Sequence, residues 1–119
     1  MRTIETHKVN PANDKIGINV MDEPGSGGAP HWYALDVNGT ENGVDLKFQN
    51  GPIVEVGVNG ITHEALLAVI VDRLEHFQKG PFSCRENTIA LTKIQEAQHW
   101  LLHRTRDRMA RGVEGTHER

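Results

Sequence analysis

The strongest pattern of apolar and polar positions in this chain is a helical one, and it runs from Ser83 to Arg111. This stretch contains no Pro and no Gly. Residues recur in it at alternating spacings of 3 and 4, which places them on one face of an α-helix. The face is apolar in its middle and polar at both ends. Its members are Asn87, Ala90, Ile94, Ala97, Leu101, Arg104 and Arg108.

Local sequence signals predict where this helix begins and ends. Ser83 followed by Glu86 predicts a capping box, in which the hydroxyl and the carboxylate satisfy backbone N–H groups of the first turn. The helix is therefore expected to begin near Cys84, and Gly112 is expected to end it.

The two polar ends of the face are too far apart for one small ligand to bridge. Asn87 and Arg104 lie roughly 25 Å apart along a helix that rises about 1.5 Å per residue. If the helix of a second copy packs antiparallel along the apolar middle, Asn87 of one copy approaches Arg104 and Arg108 of the other. Alternatively, the arginines form a solvated basic helix end that complements the helix dipole. The spacing alone leaves both interpretations open.

A second amphipathic helix precedes the first. Thr62 is a predicted N-cap, and a helix of about 17 residues follows it before Gly80 and Pro81. The connection to Ser83 is so short that the two helices must form an antiparallel hairpin. The apolar stripe of this helix comprises Leu66, Leu67, Ile70, Val71, Leu74 and Phe77.

Alternating apolar residues in the first half of the chain predict strands. Residues 1–15 are interpreted as an arm and residues 22–30 as a flexible loop rich in Gly and Pro. The predicted strands are 16–20, 31–37, 44–48 and 53–56, with turns at Asn38-Gly39, Asn42-Gly43 and Asn50-Gly51.

These elements predict an α+β fold. We expect a small antiparallel sheet of about four strands, then an antiparallel two-helix hairpin, with oligomerisation through the long C-terminal helix. The chain is interpreted as a single domain, 1–119, in which 1–60 hold the arm and the meander and 61–119 hold the hairpin and the tail.

Composition narrows the function classes. The net charge is −3, which disfavours a binder of nucleic-acid polymers, because such proteins usually carry a basic excess. Five arginines nevertheless fall in the last 16 residues, and a local positive field suits a small anionic ligand. An apolar content of 37% indicates a lean core or one completed by partner chains. A single cysteine, Cys84, excludes an internal disulfide framework, and without an apolar run of membrane-spanning length we expect an intracellular protein.

Motifs for catalysis are weak. The sequence contains no GxSxG elbow, Walker loop or dinucleotide fingerprint in the required context. His99 and His103 stand at i and i+4, a spacing found among metal ligands, yet no third ligand can be named. No metal, cofactor or catalytic residue is therefore predicted.

The groups that remain suit a phosphate and a base. Arginine offers a planar fork to phosphate oxygens, an amide serves a base or ribose edge, and an aromatic ring can stack on a purine. For Phe77 the alternative is core packing in the hairpin, and for Lys79 it is a solvated helix-end charge. These groups are Phe77, Lys79, Asn87, Arg104, Thr105 and Arg108.

Several segments together resemble a known family. They are VNGITHEALLAVIVDRL, FQKGPF, EN followed by ALTKIQEA, and RTRDRMARGVEGT. They are similar to the helical hairpin shared by two groups of bacteriophage immune-evasion proteins, the Thoeris anti-defence sponges of the first type and the anti-CBASS cyclic-nucleotide sponges of the second type. The preceding HWYALDV and FQNGPIVEVGVNG resemble the small sheet of the Thoeris group, which we therefore favour.

The resemblance implies a protein without enzymatic activity that acts in the cytoplasm of the infected bacterial host. Members of the family sequester glycocyclic ADP-ribose unaltered, and some also bind cyclic di- or trinucleotides and assemble as hexamers of dimer units. The implied ligand contacts fall on Phe77, Asn87, Arg104 and Arg108, with Thr105 beside them. A separate cyclic-nucleotide site falls on Lys79.

Two other readings remain open at this stage. In one, the protein is a structural helical oligomer whose arginines pair with acidic residues such as Glu86 or Asp107. In the other, it is an enzyme that hydrolyses a cyclic nucleotide with a metal at His99 and His103.

Overall fold

The chain folds into two units, a sheet unit and a helical unit. The computed structural model describes residues 1–118, apart from the side chain of Glu41. The sheet unit comprises residues 1–51 and 55–61, and the helical unit comprises residues 52–54 and those from 62 onward. Across the described residues, no helix has the length and apolar character that crossing a membrane requires.

The sheet unit is built on an antiparallel meander of four strands. The strands are β1 (Arg2–Thr3), β2 (Ile16–Val20), β3 (Trp32–Val37) and β4 (Thr40–Lys47). They follow one another in the sheet in chain order, and each pairs antiparallel with the next. The predicted architecture, four antiparallel strands followed by a helical hairpin, is confirmed.

One of the two turns predicted between β3 and β4 exists. Asn38 and Gly39 both adopt positive φ, 59° and 66°, as a two-residue hairpin turn requires. The predicted turn at Asn42 and Gly43 is wrong, because both residues lie within β4. Gly43 is needed for a different reason: a Cβ there would lie 1.7 Å from the carbonyl oxygen of Leu35. The two strands approach too closely at this point for any side chain.

The predicted fourth strand at residues 53–56 is wrong, since this segment forms the short helix α2 (Ile53–Val56). Pro52 lacks an N–H and suits the start of a helix. The N–H of Val54, an open donor in the first helical turn, donates to the carbonyl oxygen of Gly115 at 3.1 Å. A contact 61 residues away in sequence therefore helps to decide the structure of this β-branched segment.

The sheet still has four strands, because β1 forms within the N-terminal arm. Within the predicted arm, β1 pairs with the outer edge of β2. A four-residue helix, α1 (Pro11–Asp14), follows it, and the side chain of Asn10 caps this helix by accepting from the N–H of Asn13 at 2.8 Å.

The Gly-rich loop that follows β2 is held at its ends by Asp22. The carboxylate of Asp22 accepts from the backbone N–H of His31 at 2.9 Å and from that of Trp32 at 3.1 Å. These bonds, the one from His31 first, stabilise the ionised form and lower the pKa of Asp22 below its ordinary value of 3.8.

The helical unit contains α3 (His63–Lys79) and α4 (Arg85–Ala110), packed as an antiparallel hairpin. The N-cap of α3 is Thr62, as predicted, and its hydroxyl accepts from the N–H of Ala65 at 3.1 Å. Helix α3 ends at Gly80. Its length, 17 residues, agrees with the prediction.

The start of α4 differs from the prediction by one residue. Its N-cap is Cys84, whose Sγ accepts from the N–H of Asn87 at 3.4 Å. The predicted capping box with Ser83 is therefore wrong, although the helix does begin near Cys84. Its C-terminus is stopped by Gly112, with φ 75°.

The residues after Gly112 form the hydrogen bonds of a Schellman motif. The N–H of Gly112 donates to Met109 O at 3.1 Å, and the N–H of Val113 donates to Arg108 O at 3.0 Å. This motif turns the chain back towards the last turns of α4.

Candidate functional site

The six residues singled out from the sequence lie in two groups at opposite ends of α4. The first group, here called the hairpin corner, consists of Phe77, Lys79 and Asn87. The second, here called the arginine end, consists of Arg104, Thr105 and Arg108. Arg104 follows Asn87 by 17 positions on the same helix, so roughly 25 Å lie between the groups. A single chain does not bring them together.

The hairpin corner is fixed by a residue that the sequence reading missed. Gln78 lies between Phe77 and Lys79, and its amide oxygen accepts from the N–H of Cys84 at 3.2 Å. Its amide nitrogen donates to the carbonyl oxygen of Cys84 at 3.0 Å and to the hydroxyl of Thr88. Gln78 thereby ties the last turn of α3 to the first turn of α4.

Phe77 is partly exposed at this corner. Its side chain is 38% exposed, and the guanidinium carbon of Arg73 lies 5.1 Å from its ring centroid. A cation at this distance interacts with the π-system of the ring. Asn87 is half-buried, whereas Lys79 is exposed. The corner therefore presents an aromatic ring, an amide and an ammonium group.

Arg104 is the solvent-exposed cation of the arginine end. Its side chain is exposed, and no described acidic residue lies within ion-pair distance of it. Thr105 beside it is half-buried and donates its hydroxyl proton to the carbonyl oxygen of Leu101 at 3.2 Å. Of the two, Arg104 offers its donors to an anion without losing an internal partner.

Arg108 has the opposite environment. It is 6% exposed and is the one buried charged residue among those that the structure describes. Its Nε donates to a carboxylate oxygen of Glu114 at 3.0 Å. Its Nη2 donates to the carbonyl oxygens of Val113 at 2.9 Å and Thr116 at 3.1 Å, and its Nη1 donates to that of Glu118.

Some residues of the predicted face of α4 pack inside the hairpin, and others are exposed to solvent. Ala90, Ile94 and Leu101 are half-buried, while Ala97 and Arg104 are exposed. Much of the predicted apolar middle therefore lies inside the single-chain hairpin. The exposed apolar side chains of α4 lie next to it and include Ile89 at 45% and Trp100 at 65% exposure.

His99 and His103 form an aromatic cluster around Trp100. The two imidazole rings stack with centroids 6.4 Å apart, and the indole contacts both edge-on, at 5.3 and 5.6 Å. Within the described part of the chain, no group of three or more His, Cys, Asp and Glu side chains is placed to hold a metal ion.

Asp107, named as a possible partner of arginines in a structural oligomer, pairs within its own helix. Its carboxylate accepts from Nε of Arg111 at 3.1 Å, the i,i+4 spacing that stabilises helices.

Comparison with known proteins identifies this hairpin. Residues 41–106 match the family model described as the Acb2/Tad1 hairpin domain. The chain belongs to the Acb2/Tad1 hairpin family. The match spans both helices through Arg106, and so it includes the hairpin corner, Arg104 and Thr105 but not Arg108. The family resemblance inferred from the sequence is thus confirmed.

The chain is also similar to an individual phage protein. The chain is 51% identical over 74 residues to "Thoeris anti-defense 1" of Bacillus phage SBSphiJ7. The aligned region covers 62% of this chain and 52% of the relative. The chain thus spans about half the length of this relative and is its homologue.

Sequence patterns did not single out two residues that shape this site, Gln78 and Glu114. Gln78 lies inside the segment FQKGPF that carries the resemblance, and a polar residue between two helix-end groups was a usable signal for a corner contact. Glu114 lies beyond the helix stop, and periodicity carries no information there.

Proposed function

We propose that this protein binds glycocyclic ADP-ribose and holds it unaltered, as a sponge that blocks Thoeris signalling in the cytoplasm of an infected bacterium. It acts as a binding protein and not as an enzyme. Its homology to a Thoeris anti-defense protein supports this function. Because the chain covers about half of that relative, the ligand and the assembly are part of the proposal.

The observation that carries the proposal is the separation of complementary groups along α4. The hairpin corner offers Phe77 for stacking and Asn87 for a base or ribose edge. The arginine end offers the exposed guanidinium of Arg104 for the pyrophosphate. Since about 25 Å separates the two groups in one chain, the ligand is bound between the corner of one copy and the arginine end of another.

Antiparallel packing of two α4 helices produces this meeting of groups twice, around a two-fold axis. Ile89, Ala97 and Trp100 follow one another on the exposed side of α4 at spacings that share a face with Arg104. We propose this apolar strip as the contact between copies, and we propose a hexamer of such dimers as the full assembly.

A second ligand class is proposed at Lys79. Its ammonium group is exposed at the last residue of α3, and no described acidic residue lies within ion-pair distance of it. A cyclic di- or trinucleotide at Lys79 would occupy a site separate from the one that contains Arg104.

One incubation tests the main proposal. The protein is mixed with glycocyclic ADP-ribose, freed of unbound nucleotide and denatured by heat, and the released material is analysed by mass spectrometry. We expect intact nucleotide in proportion to protein. A cleaved product would favour the enzyme with a metal at His99 and His103, and absence of retained nucleotide would favour the structural oligomer.

A matched pair of variants links retention to the site. Arg104→Ala removes the exposed guanidinium of the proposed site. Arg106→Ala removes one charge from an exposed position on another side of the same helix. We expect loss of retention for Arg104→Ala and normal retention for Arg106→Ala. Equal losses in both would indicate a general charge effect and contradict the assigned site.

A further inference from the structure

Two histidines of α4, His99 and His103, lie one helical turn apart with both side chains exposed. Among the described residues, neither imidazole has a hydrogen-bond partner or an acidic side chain within ion-pair distance. His76 on α3 is different, because its Nδ1 lies 2.8 Å from the carbonyl oxygen of Asp72 and 3.7 Å from the carboxylate of that residue. The ring nitrogens of His99 and His103 are therefore available to a ligand.

The indole of Trp100 orients both imidazole rings. It contacts His99 and His103 edge-on, with interplanar angles of 74° and 82°, an arrangement that aromatic pairs favour. The two imidazole planes lie within 24° of parallel, with their centroids 6.4 Å apart. Because these contacts already restrict the rings, ordering them around a shared ion costs less side-chain entropy.

Two neutral imidazoles at i and i+4 suit a transition-metal ion. The same spacing places the two histidines of HExxH sites on one metal, with metal–nitrogen distances of about 2.0–2.1 Å. Both side chains are exposed, so rotation about their own bonds brings the nitrogens to one ion without a change in the backbone. Imidazole suits copper, nickel and zinc, whereas magnesium and calcium prefer oxygen ligands.

We propose that His99 and His103 chelate one late first-row transition-metal ion, with Cu²⁺ bound more tightly than Ni²⁺ or Zn²⁺. Water completes the coordination, since no group of three or more His, Cys, Asp and Glu side chains in the described part of the chain is placed to hold an ion. The bound ion links adjacent turns of α4 and stabilises the helix there. No catalytic step is assigned to it.

This site is separate from the proposed nucleotide site. Helical spacing puts His99 and His103 to one side of the apolar strip that contains Ile89 and Ala97. The ion therefore lies beside the proposed contact between copies. The inference goes beyond the proposed function and does not depend on it.

Titration with CuCl₂ tests the site through the fluorescence of Trp100. The full chain is used without a histidine tag, after treatment with EDTA and removal of the chelator. A copper ion held by both neighbours of the indole should quench its emission, so we expect saturable quenching that ends at one ion per chain. MgCl₂ should leave the emission unchanged. Quenching by copper that does not saturate would contradict a defined site.

Single and double variants show whether the two imidazoles act together. His99→Gln and His103→Gln should each weaken Cu²⁺ binding by about tenfold or more, a change of about 1.4 kcal/mol, and the double variant should lose little beyond either one. His76→Gln is the matched control on α3 and should bind as the parent does. Calorimetry measures the affinities.

Two outcomes of this series would overturn the chelate. If the histidines bound ions separately, each single variant would lose one of two ions and keep the affinity of the other. If all three single variants bound equally well, the parent would hold an adventitious ion only.

Thermal melting gives a second measurement that needs no fluorescence. An ion that binds the folded helix in preference to the unfolded chain raises the melting midpoint. We expect ZnCl₂ to raise the midpoint of the parent and of His76→Gln, EDTA to reverse the rise, and His103→Gln to show none. An unchanged midpoint in the parent would contradict the link between turns of α4. Nucleotide retention is measured separately and affects neither result.

Discussion

Two arginines one helical turn apart, Arg104 and Arg108, illustrate how far environment decides the role of a residue. Both lie on the same predicted face of α4, and both were assigned to the ligand from the sequence. In the fold, Arg104 is exposed and has no acidic partner among the described residues, whereas Arg108 is buried under the C-terminal segment that follows Gly112. The first suits direct contact with an anion, and the second suits support of the surrounding chain.

For Arg104 the expected effect of substitution is on binding and not on folding. Arg104→Ala should weaken the binding of glycocyclic ADP-ribose by about 1.5–3 kcal/mol, the usual contribution of a hydrogen bond to a charged group. Calorimetric titration measures the affinity, and thermal melting should show an unchanged midpoint. A lowered melting midpoint with normal affinity would assign Arg104 to the fold instead of the ligand.

In the sheet unit, Asp22 should hold its loop down to a lower pH than the ordinary pKa of an aspartate would allow. Because its bonds from His31 and Trp32 favour the carboxylate, its pKa lies below 3.8 in the folded chain. The anchoring of the loop is therefore complete above the ordinary pKa and is lost as pH falls through the lowered one. The amide shifts of His31 and Trp32, followed by NMR, should titrate with a midpoint below 3.8.

The variant Asp22→Asn serves as the control for this titration. Its amide has no proton to gain in this range, so the same two amide shifts should stay constant there. A midpoint at or above 3.8 in the parent protein would show that the two N–H bonds do not stabilise the ionised carboxylate.

At the scale of elements, the connection between α3 and α4 is short and depends on one side chain. Gln78 bonds both the N–H and the C=O of Cys84 and also reaches the hydroxyl of Thr88. Because it lies between Phe77 and Lys79, it holds these neighbours in a defined place relative to the first turn of α4. The hairpin corner is thus organised by a residue outside the proposed set of ligand contacts.

Gln78→Ala should destabilise this corner. The change removes the bonds that tie the last turn of α3 to Cys84 and Thr88, at an expected cost of about 0.5–1.5 kcal/mol in the free energy of unfolding. Urea denaturation measures the change. Gln95→Ala, at an exposed position of α4, should alter the free energy by less than about 0.5 kcal/mol. Equal effects in the two variants would remove Gln78 from its structural role.

At the scale of the whole molecule, the chain buries little of its apolar surface. Among the described residues, only Val20 and Arg108 are buried. Val69 at 64%, Ile89 at 45% and Trp100 at 65% exposure leave large apolar side chains of both long helices in solvent. Exposed apolar surface of this kind marks interaction sites, which agrees with the proposal that other copies of the chain complete the core.

Trp100→Glu should prevent the proposed contact between copies. A carboxylate on the apolar strip would have to be desolvated in the interface, while the exposed position allows the single hairpin to fold. Light scattering should show the parent as an oligomer of the 13.3 kDa chain and the variant as a smaller species with reduced nucleotide retention.

Val9→Glu provides the comparison for this experiment. Val9 is 81% exposed and lies in the N-terminal arm, so the same change of charge there should leave the mass unchanged. A parent protein of 13.3 kDa in solution would contradict every site that needs two copies.

The sequence by itself determined the elements that depend on local chemistry. The period of α3 and α4, the cap at Thr62, the stop at Gly112 and the turn at Asn38-Gly39 follow from side-chain spacing and backbone preference. The same local strings carried the family resemblance. None of these features needs a distant residue, and this is why one sequence sufficed.

Tertiary structure alone decided the features that join residues far apart in the chain. The segment 53–56 has β-branched residues typical of a strand, yet it forms a helix with its open N–H bonded to Gly115. Arg108 has the sequence context of a solvated helix end, yet the returning segment buries it. In both cases a backbone or side-chain donor is satisfied by a partner that folding brings near, and local sequence holds no record of that partner.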